Sequence, residues 1–198
     1  MHIGYSAYIY NYKEYIFDET LISTEVQDAL PPNLKLRPLA KDDFDKGVFD
    51  CLEQLSITGD ISQKKFVERF EEMKKAGGYY TIAIEDEDQG KIVGLGTLFV
   101  EMKFLRSCGK AGHIEDIVVH DSQRGKSLGR RIIDQLKHIG KELGCYKLIL
   151  DCNEKNIPFY EKCGLTVKDV QMTLYNDVRK EDLGIGNHTS SKTNINGA

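Results

Sequence analysis

The stretch from His113 to Leu136, HIEDIVVHDSQRGKSLGRRIIDQL, decides the fold. HIEDIVV reads as a strand, HDSQRGKSLG as a short basic loop rich in backbone donors, and RRIIDQL as an amphipathic helix. This order of elements aims the free N–H groups of the first helical turn, and the positive end of the helix dipole, at whatever the loop holds. Phosphate is the obvious guest. GKS between a strand and a helix also fits part of an ATP-binding P-loop, but that motif needs a glycine five residues before Gly125. The residue there is His120, so the P-loop fails on spacing. Strand alternation predicts His113, Glu115 and Ile117 on one face and Ile114, Asp116 and Val118 on the other, which would give Glu115 and Asp116 different jobs.

After the loop, Leu128, Ile132, Ile133, Leu136, Ile139 and Leu143 form one apolar helical stripe that Gly144 closes. A strand over Lys147–Cys152 follows, then a short helix from about Ile157, capped by Asn156 and ending at Gly164. A last strand pair is expected near Leu165–Lys168 and Gln171–Tyr175. Upstream, Tyr79–Ala83 alternates with Tyr80–Ile84, an acidic turn spans Glu85–Gly90, and Ile92–Val100 returns as a second strand, which is an antiparallel hairpin. Leu34, Leu36 and Leu39 mark an opening strand. A helix from Asp42 or Asp43 to Gly59 is predicted next, and then one from the N-cap Ser62 through Phe66, Val67, Phe70 and Met73 to Gly77. Residues 1–33 form an extension rich in tyrosine (Tyr5, Tyr8, Tyr10, Tyr12, Tyr15) without clear period, either packed on the domain or mobile. Residues 177–198 read as a polar, disordered tail. The domain is 34–176, an α/β unit with a mixed, mostly antiparallel sheet flanked by helices on both faces.

A chain of 198 residues suits one domain with a real core, and its net charge of −4 argues against a nucleic-acid partner. The basic residues near the loop therefore serve a small anion. Cys51, Cys108, Cys145, Cys152 and Cys163 are odd in number and contain no CxxC pair; with no apolar leader after Met1, the expectation is a reduced, cytoplasmic protein without a metal site. No apolar run approaches the roughly 20 residues that span a bilayer.

The loop also matches, with one departure, the pyrophosphate loop Q/R-x-x-G-x-G/A of the GCN5-related N-acetyltransferases (GNAT): Arg124, then Ser127 where the first glycine stands, then Gly129. GHIEDIVV before it, LGCYKLILDCNEKNIPFYEKCGL after it and LRPLAKDDFDKG near the start closely resemble the glucosamine 6-phosphate N-acetyltransferases of that family, over roughly Leu34 to Leu174. The resemblance implies a sheet whose two central strands splay apart at a bulge and hold acetyl-CoA in the gap. It implies transfer of acetyl to the amine of D-glucosamine 6-phosphate in a ternary complex, for UDP-N-acetylglucosamine synthesis, by a homodimer with exchanged C-terminal strands and a shared site.

Residue by residue, the resemblance assigns acetyl-CoA to the main chain of Ile117, Val118 and Val119, to Arg124, Gly125, Lys126, Ser127, Leu128 and Gly129, and to Asn156. It makes Tyr160 the acid that protonates the departing thiolate. Glu115, Asp116 and Asp151 orient the sugar and its amine. Lys103, Phe104, Leu105 and Arg106 match the segment that meets the sugar phosphate, with Lys110 nearby; Ser56, or Thr58 in its place, falls where the family has a threonine. A family arginine near the C-terminus aligns with Tyr175, and Arg179 is a candidate to replace it. Cys152 and Cys163 flank the segment expected near the sulfur of CoA and are candidates for a mixed disulfide with it. Two other readings compete. A protein or polyamine acetyltransferase would favour an acidic groove over the cations here, and a non-catalytic CoA-binding module would be expected to have lost Tyr160 or the carboxylate pair.

Overall fold

The computed structural model describes residues 13–176. In chain order its elements are α1 (Thr24–Asp28), β1 (Leu34–Pro38), α2 (Val48–Leu52), α3 (Gln63–Ala76), β2 (Tyr79–Asp86), β3 (Lys91–Met102), α4 (Leu105–Cys108), β4 (Lys110–Val119), α5 (Leu128–Glu142), β5 (Cys145–Ile149) and α6 (Ile157–Lys162). The strands form one sheet in the order of the sequence. The first three pairings are antiparallel, and β4–β5 is parallel because α5 carries the chain back between them. The predicted mixed, mostly antiparallel sheet is therefore present.

Helices cover both faces, as expected. The predicted stripe of α5 packs on one: Leu128, Ile132, Ile133, Leu136 and Ile139 meet Leu36, Ile84, Leu98 and Ile114. At about 1.5–3 kcal/mol for each fully buried aliphatic side chain, this contact holds α5 far more firmly than its own propensity would. On the opposite face Phe66 and Phe70 of α3 pack with Leu39, Ala83, Leu95 and Val118. One buried residue of α5 lies outside the apolar pattern: Gln135 donates from Nε2 to the Leu21 carbonyl (2.8 Å) and accepts from the Ser23 N–H (2.9 Å). These bonds tie the N-terminal extension to the domain. Ile16 also enters the core, donating from its N–H to the Leu39 carbonyl at 2.9 Å. From Lys13 onward the extension is packed; Tyr5, Tyr8, Tyr10 and Tyr12 lie outside the described residues, as does the tail from 177.

Three expectations fail. The helix predicted from Asp42 or Asp43 to Gly59 is broken into a 3-10 turn, Phe44–Lys46, and the short α2, because Gly47 between them is left-handed at φ 79°. Asp43 cannot serve as an ordinary cap, since its carboxylate is committed to Arg37 and the Ala40 N–H. The strand predicted to run to Cys152 stops at Ile149, where β4 and β5 part. The last strand pair is absent. Residues 165–176 have no regular structure, and Val167, Val170, Met172 and Leu174 are 67–92% exposed. Strands need a partner, and among the described residues that segment has none.

Candidate active site

The site begins with a defect in β4. Leu95 pairs with Val118 and Thr97 with Glu115, so Asp116 and Ile117 together face Gly96 alone. Such a bulge is one residue too many on one strand, and Asp116 takes it up at φ 54°. The simple alternation read from the sequence fails here: Ile114 packs on the α5 side, whereas Val118 packs on the α3 side. Gly96 makes the bulge possible. A Cβ there would stand 2.5 Å from Ile132 Cγ2 and 2.8 Å from Ile117 Cδ1, so any side chain would drive Ile117 and α5 outward.

From Ile114 onward, among the described residues, β4 has a neighbour on one side only. Its pairing with β5 ends at His113 and Ile149, which leaves Ile114–Val119 bordering an open gap. The His120 N–H donates to the Val93 carbonyl on the β3 side (2.9 Å). Alternation then turns the N–H groups of Val119 and Ile117 away from β3, toward the gap, and that of Val118 toward β3. Two of the three amides singled out from sequence thus point into the gap, and Val118 contributes its side chain to the core.

The basic loop closes one end of the gap. Gly125 (φ 84°) and Ser127 (φ 58°) are both left-handed, and the Ser127 side chain makes no capping bond to α5. The N–H groups of Leu128 and Gly129, in the first turn of α5, therefore receive no bond from that side chain, the arrangement an anion cradle uses. Gly129 does a second job, since a Cβ there would meet Phe159 Cζ at 3.3 Å. Lys126 donates to Gln123, which is itself buried and donates to Asp86 (3.2 Å), so the loop is anchored from beneath. A left-handed serine costs about 1 kcal/mol, part of which glycine would return as chain entropy. Ser127→Gly is therefore expected to raise the thermal midpoint by on the order of 1–2 °C, with CoA affinity kept or improved. A lower midpoint in a melting experiment would show that the hydroxyl has a stabilising partner.

The carboxylates gather at the bulge. Burial pushes the Glu115 carboxyl above its ordinary range, and the nearby charges of Asp116 and Asp151 push it further. Burial alone raises Asp116. Both residues keep surface open to the gap, and a carboxyl raised in this way is a stronger base than an unperturbed one. Asp151 lies just past the end of β5 and accepts from Gln171 Nε2 at 2.6 Å.

Tyr160 stands on α6, partly buried against the α5-side core, edge-on to Phe159 with ring centroids 5.0 Å apart. Burial raises its phenol above the usual value, with smaller pushes from Cys152 and Cys163, so the proton stays on. Within the described residues its hydroxyl makes no hydrogen bond, and it is free to donate to a ligand. Asn156 occupies the N-cap position of α6, but its side chain makes no capping bond. Cys163 is buried and burial raises its thiol; Cys152 is exposed.

The cationic segment is less simple than its sequence. Lys103 is paired with Glu101 at 2.5 Å. Arg106 is left-handed at φ 57° and makes no ion pair among the described residues, while Phe104 and Leu105 are 96% and 72% exposed. Lys110, expected nearby, instead donates to the Leu143 carbonyl at the C-terminus of α5 (3.0 Å), where a cation complements the helix dipole. Ser56 is exposed after α2, and Thr58 donates to Glu53 (3.0 Å). Tyr175 is exposed, and Arg179 lies outside the described residues.

Two residues of the site were not singled out from sequence. Glu101 bridges Lys103 and His113, and Gln54 accepts from the Asp121 N–H (2.9 Å), tying the end of α2 to the phosphate loop. The two-residue spacing of Glu101 and Lys103 at the end of β3 was a legible signal; the Gln54 contact, 67 residues apart in sequence, was not.

A model of the acetyltransferase (GNAT) family matches residues 41–165. The chain is similar to glucosamine 6-phosphate N-acetyltransferase 1 of Dictyostelium discoideum, 53% identical over 72% of this chain and 90% of that protein. It is also similar to the glucosamine 6-phosphate N-acetyltransferase of Arabidopsis thaliana, 47% identical over 72% of this chain and 97% of the relative. The crystal structure of the Arabidopsis enzyme superimposes with a TM-score of 0.71, covering 73% of this chain and 99% of that one.

Proposed function

The chain belongs to the acetyltransferase (GNAT) family, and we propose that the gap between β4 and β5 is where its two substrates meet. It transfers acetyl from acetyl-CoA to the amine of D-glucosamine 6-phosphate. One observation supports the placement: β4 and β5 part after His113, β4 bulges at Asp116 within the unpaired stretch, and the loop with left-handed Gly125 and Ser127 follows that strand. A thioester arm laid in the gap would put its pyrophosphate on the Arg124–Gly129 loop and its carbonyl against main-chain N–H groups of β4.

In this reading Ile117 and Val119 supply the preorganised donors. One such donor, aimed where the tetrahedral intermediate gathers negative charge, is worth on the order of 10²–10³ in rate. Asn156 holds the pantetheine arm. Glu115, Asp116 and Asp151 orient the sugar amine, and the raised carboxyls of the first two are placed to take its proton, directly or through water. The amine nitrogen then attacks the thioester carbon. As the C–N bond forms and the C–S bond breaks, Tyr160 gives its proton to the leaving thiolate. Lys103 and Arg106, with Ser56, Phe104 and Leu105, meet the sugar phosphate. No acetyl-enzyme is needed. The product, N-acetyl-D-glucosamine 6-phosphate, is the precursor form for UDP-N-acetylglucosamine, and a cytoplasmic site of action belongs to the same proposal. Among the described residues no helix is long and apolar enough to cross a membrane. The test is thiol release from acetyl-CoA with glucosamine 6-phosphate, glucosamine, a polyamine and a lysine peptide. Only the phosphosugar should support fast release; equal rates with the polyamine or peptide would overturn the reading.

We further propose a homodimer. Val167, Val170, Met172 and Leu174 are exposed apolar residues at alternating or near-alternating positions, beside a sheet whose edge strand β5 exposes Tyr146 and Ile149. A sheet edge and an apolar segment that are both unpaired among the described residues are complementary liabilities that a second copy removes. Replacing Val170 and Met172 together by aspartate is expected to shift the mass from dimer to monomer in light scattering, with a loss of activity. A monomeric wild type at working concentration would refute the dimer.

A further inference from the structure

One face of β2, β3 and β4 carries a row of aromatic side chains that the roles above leave unused. Strand register aligns Tyr79, Phe99 and His113, with ring centroids 5.0 Å and 6.0 Å apart. The row holds the imidazole so that His113 Nε2 lies 3.0 Å from Glu101 Oε2. Lys103 Nζ occupies the other oxygen of the same carboxylate at 2.5 Å. One carboxylate thus carries an ammonium and an imidazole on its two flanks. All three side chains are only 24–38% exposed, so their charges are incompletely screened.

A charge count gives this arrangement a purpose, and it rests on the reading that Lys103 and Arg106 receive the sugar phosphate. A phosphomonoester is a dianion above its second pKa of about 6. Against it stand Lys103 and Arg106, but Glu101 cancels one of these charges, and Lys110 is occupied at the end of α5. The dianion would be left undercompensated by one charge. An imidazole held by that same Glu101 supplies the difference when it takes a proton, because both of its nitrogens then donate. The other charged groups toward His113 are Glu115 two residues on along β4, and Lys147 and Asp151 on either side of its register partner Ile149.

We propose that His113 is the third cation of the phosphate subsite. It takes one proton from solvent as the sugar phosphate docks on Lys103 and Arg106, and it replaces Lys103 as the counter-ion of Glu101. His113 is a positioning residue, acting on the phosphate through Glu101 and Lys103. Recognition of the phosphosugar is thereby linked to pH.

The product, N-acetylglucosamine 6-phosphate, isolates this effect because it has no titratable amine, and its phosphate is a dianion throughout pH 7–9. Calorimetric titration of the full chain with it, in buffers of different ionisation enthalpy, should show net proton uptake. Its affinity should fall as pH rises from 7 to 9, by at most about tenfold per pH unit, the limit for one linked proton. His113→Asn should bind weakly with a flat pH profile and no proton uptake. His113→Arg, with a permanent cation, should bind tightly and also be flat, a rescue that a merely structural role would not produce. A wild-type pH slope in folded His113→Arg would overturn the proposal. If Lys103→Ala binds the product as well as wild type does, the phosphate subsite itself is misplaced; if Lys103→Ala weakens it while the slope survives in His113→Arg, only the role of His113 falls.

Discussion

Tyr160→Phe is expected to lower kcat by roughly 10²- to 10⁴-fold while leaving the affinity for acetyl-CoA nearly unchanged. That range is what a positioned general acid contributes, about 2.7–5.4 kcal/mol of barrier. The prediction has a geometric basis in this chain. Tyr160 is packed against the core cluster that contains Cys163 and Leu136, so the phenylalanine ring would sit in the same place and keep its edge-on contact with Phe159. Only the hydroxyl is lost, and that hydroxyl has no protein partner among the described residues whose loss would disturb the fold. The direction of its shift also matters. Burial raises the phenol, with Cys152 and Cys163 adding to it, so the acid form persists at neutral and mildly alkaline pH and is available when the thiolate leaves. Single-turnover rates with saturating acetyl-CoA would measure the effect at the chemical step. An unchanged rate would remove Tyr160 from the role of acid and leave the thiolate to depart unassisted.

The parts of the site differ in how far the sequence reveals them, and the difference is physical. The helix α5 was legible because burial on one side imposes a period, and Leu128, Ile132, Ile133, Leu136 and Ile139 obey it. The hairpin β2–β3 was legible for the same reason. The bulge was expected from resemblance but not from pattern, because alternation assumes an unbroken ladder, and one left-handed residue, Asp116, reverses every face after it. What allows that residue is Gly96 on the neighbouring strand, and nothing in the local sequence of β4 reports it. The helix predicted after β1 is interrupted at left-handed Gly47, and Asp43, which looks like its cap, is bound by an arginine six residues earlier. The missing final strands failed for another reason. The segment 165–175 has the apolar pattern of a strand, but pairing is a property of two segments, and this chain presents it to solvent. Lys110 shows the limit of reading charges as a cluster: three cations within eight residues belong to three different environments.

The second large effect is expected far from the gap, at the other edge of the sheet. Arg37→Ala should destabilise the fold by about 3–5 kcal/mol, a large part of the 5–15 kcal/mol that holds a typical domain. Arg37 on β1 is 2% exposed, and its guanidinium meets Asp43 at 2.6 and 2.8 Å and Glu85 at 2.7 Å, while donating to the Pro38 carbonyl at 3.1 Å. Lys46 and Lys13 reach the same two carboxylates from the rim. Truncation would leave the fully buried Asp43 with the Ala40 N–H and distant lysines, and an undercompensated buried charge is what makes such a loss costly. For a domain of this size the thermal midpoint should drop by about 6–20 °C. Arg37→Met combined with Asp43→Asn should recover part of the loss, because the orphaned charge is then gone.

The same network sets the acid limit. Lys46 and Arg37 hold the Glu85 carboxyl down at about 2 against burial, below the 4.5 of a free glutamate. A depressed carboxylate stabilises fully above the unfolded value, and its contribution declines as pH falls from about 4.5 toward 2 and is gone below that. The linked stability is about 2–3 kcal/mol, allowing for the part of the carboxylate that water reaches. Urea denaturation between pH 7 and pH 3 should therefore show a steeper acid loss in wild type than in Glu85→Gln, and parallel curves would mean that another carboxylate governs the acid limb. Catalysis measured well below either midpoint should be unaffected by Arg37→Ala, since β2 and β3 separate Arg37 from the gap at β4 and β5. A midpoint that falls by less than about 2 °C would show that water or Lys13 takes over the guanidinium's place, and the network would then be a surface ornament of the fold and not one of its supports.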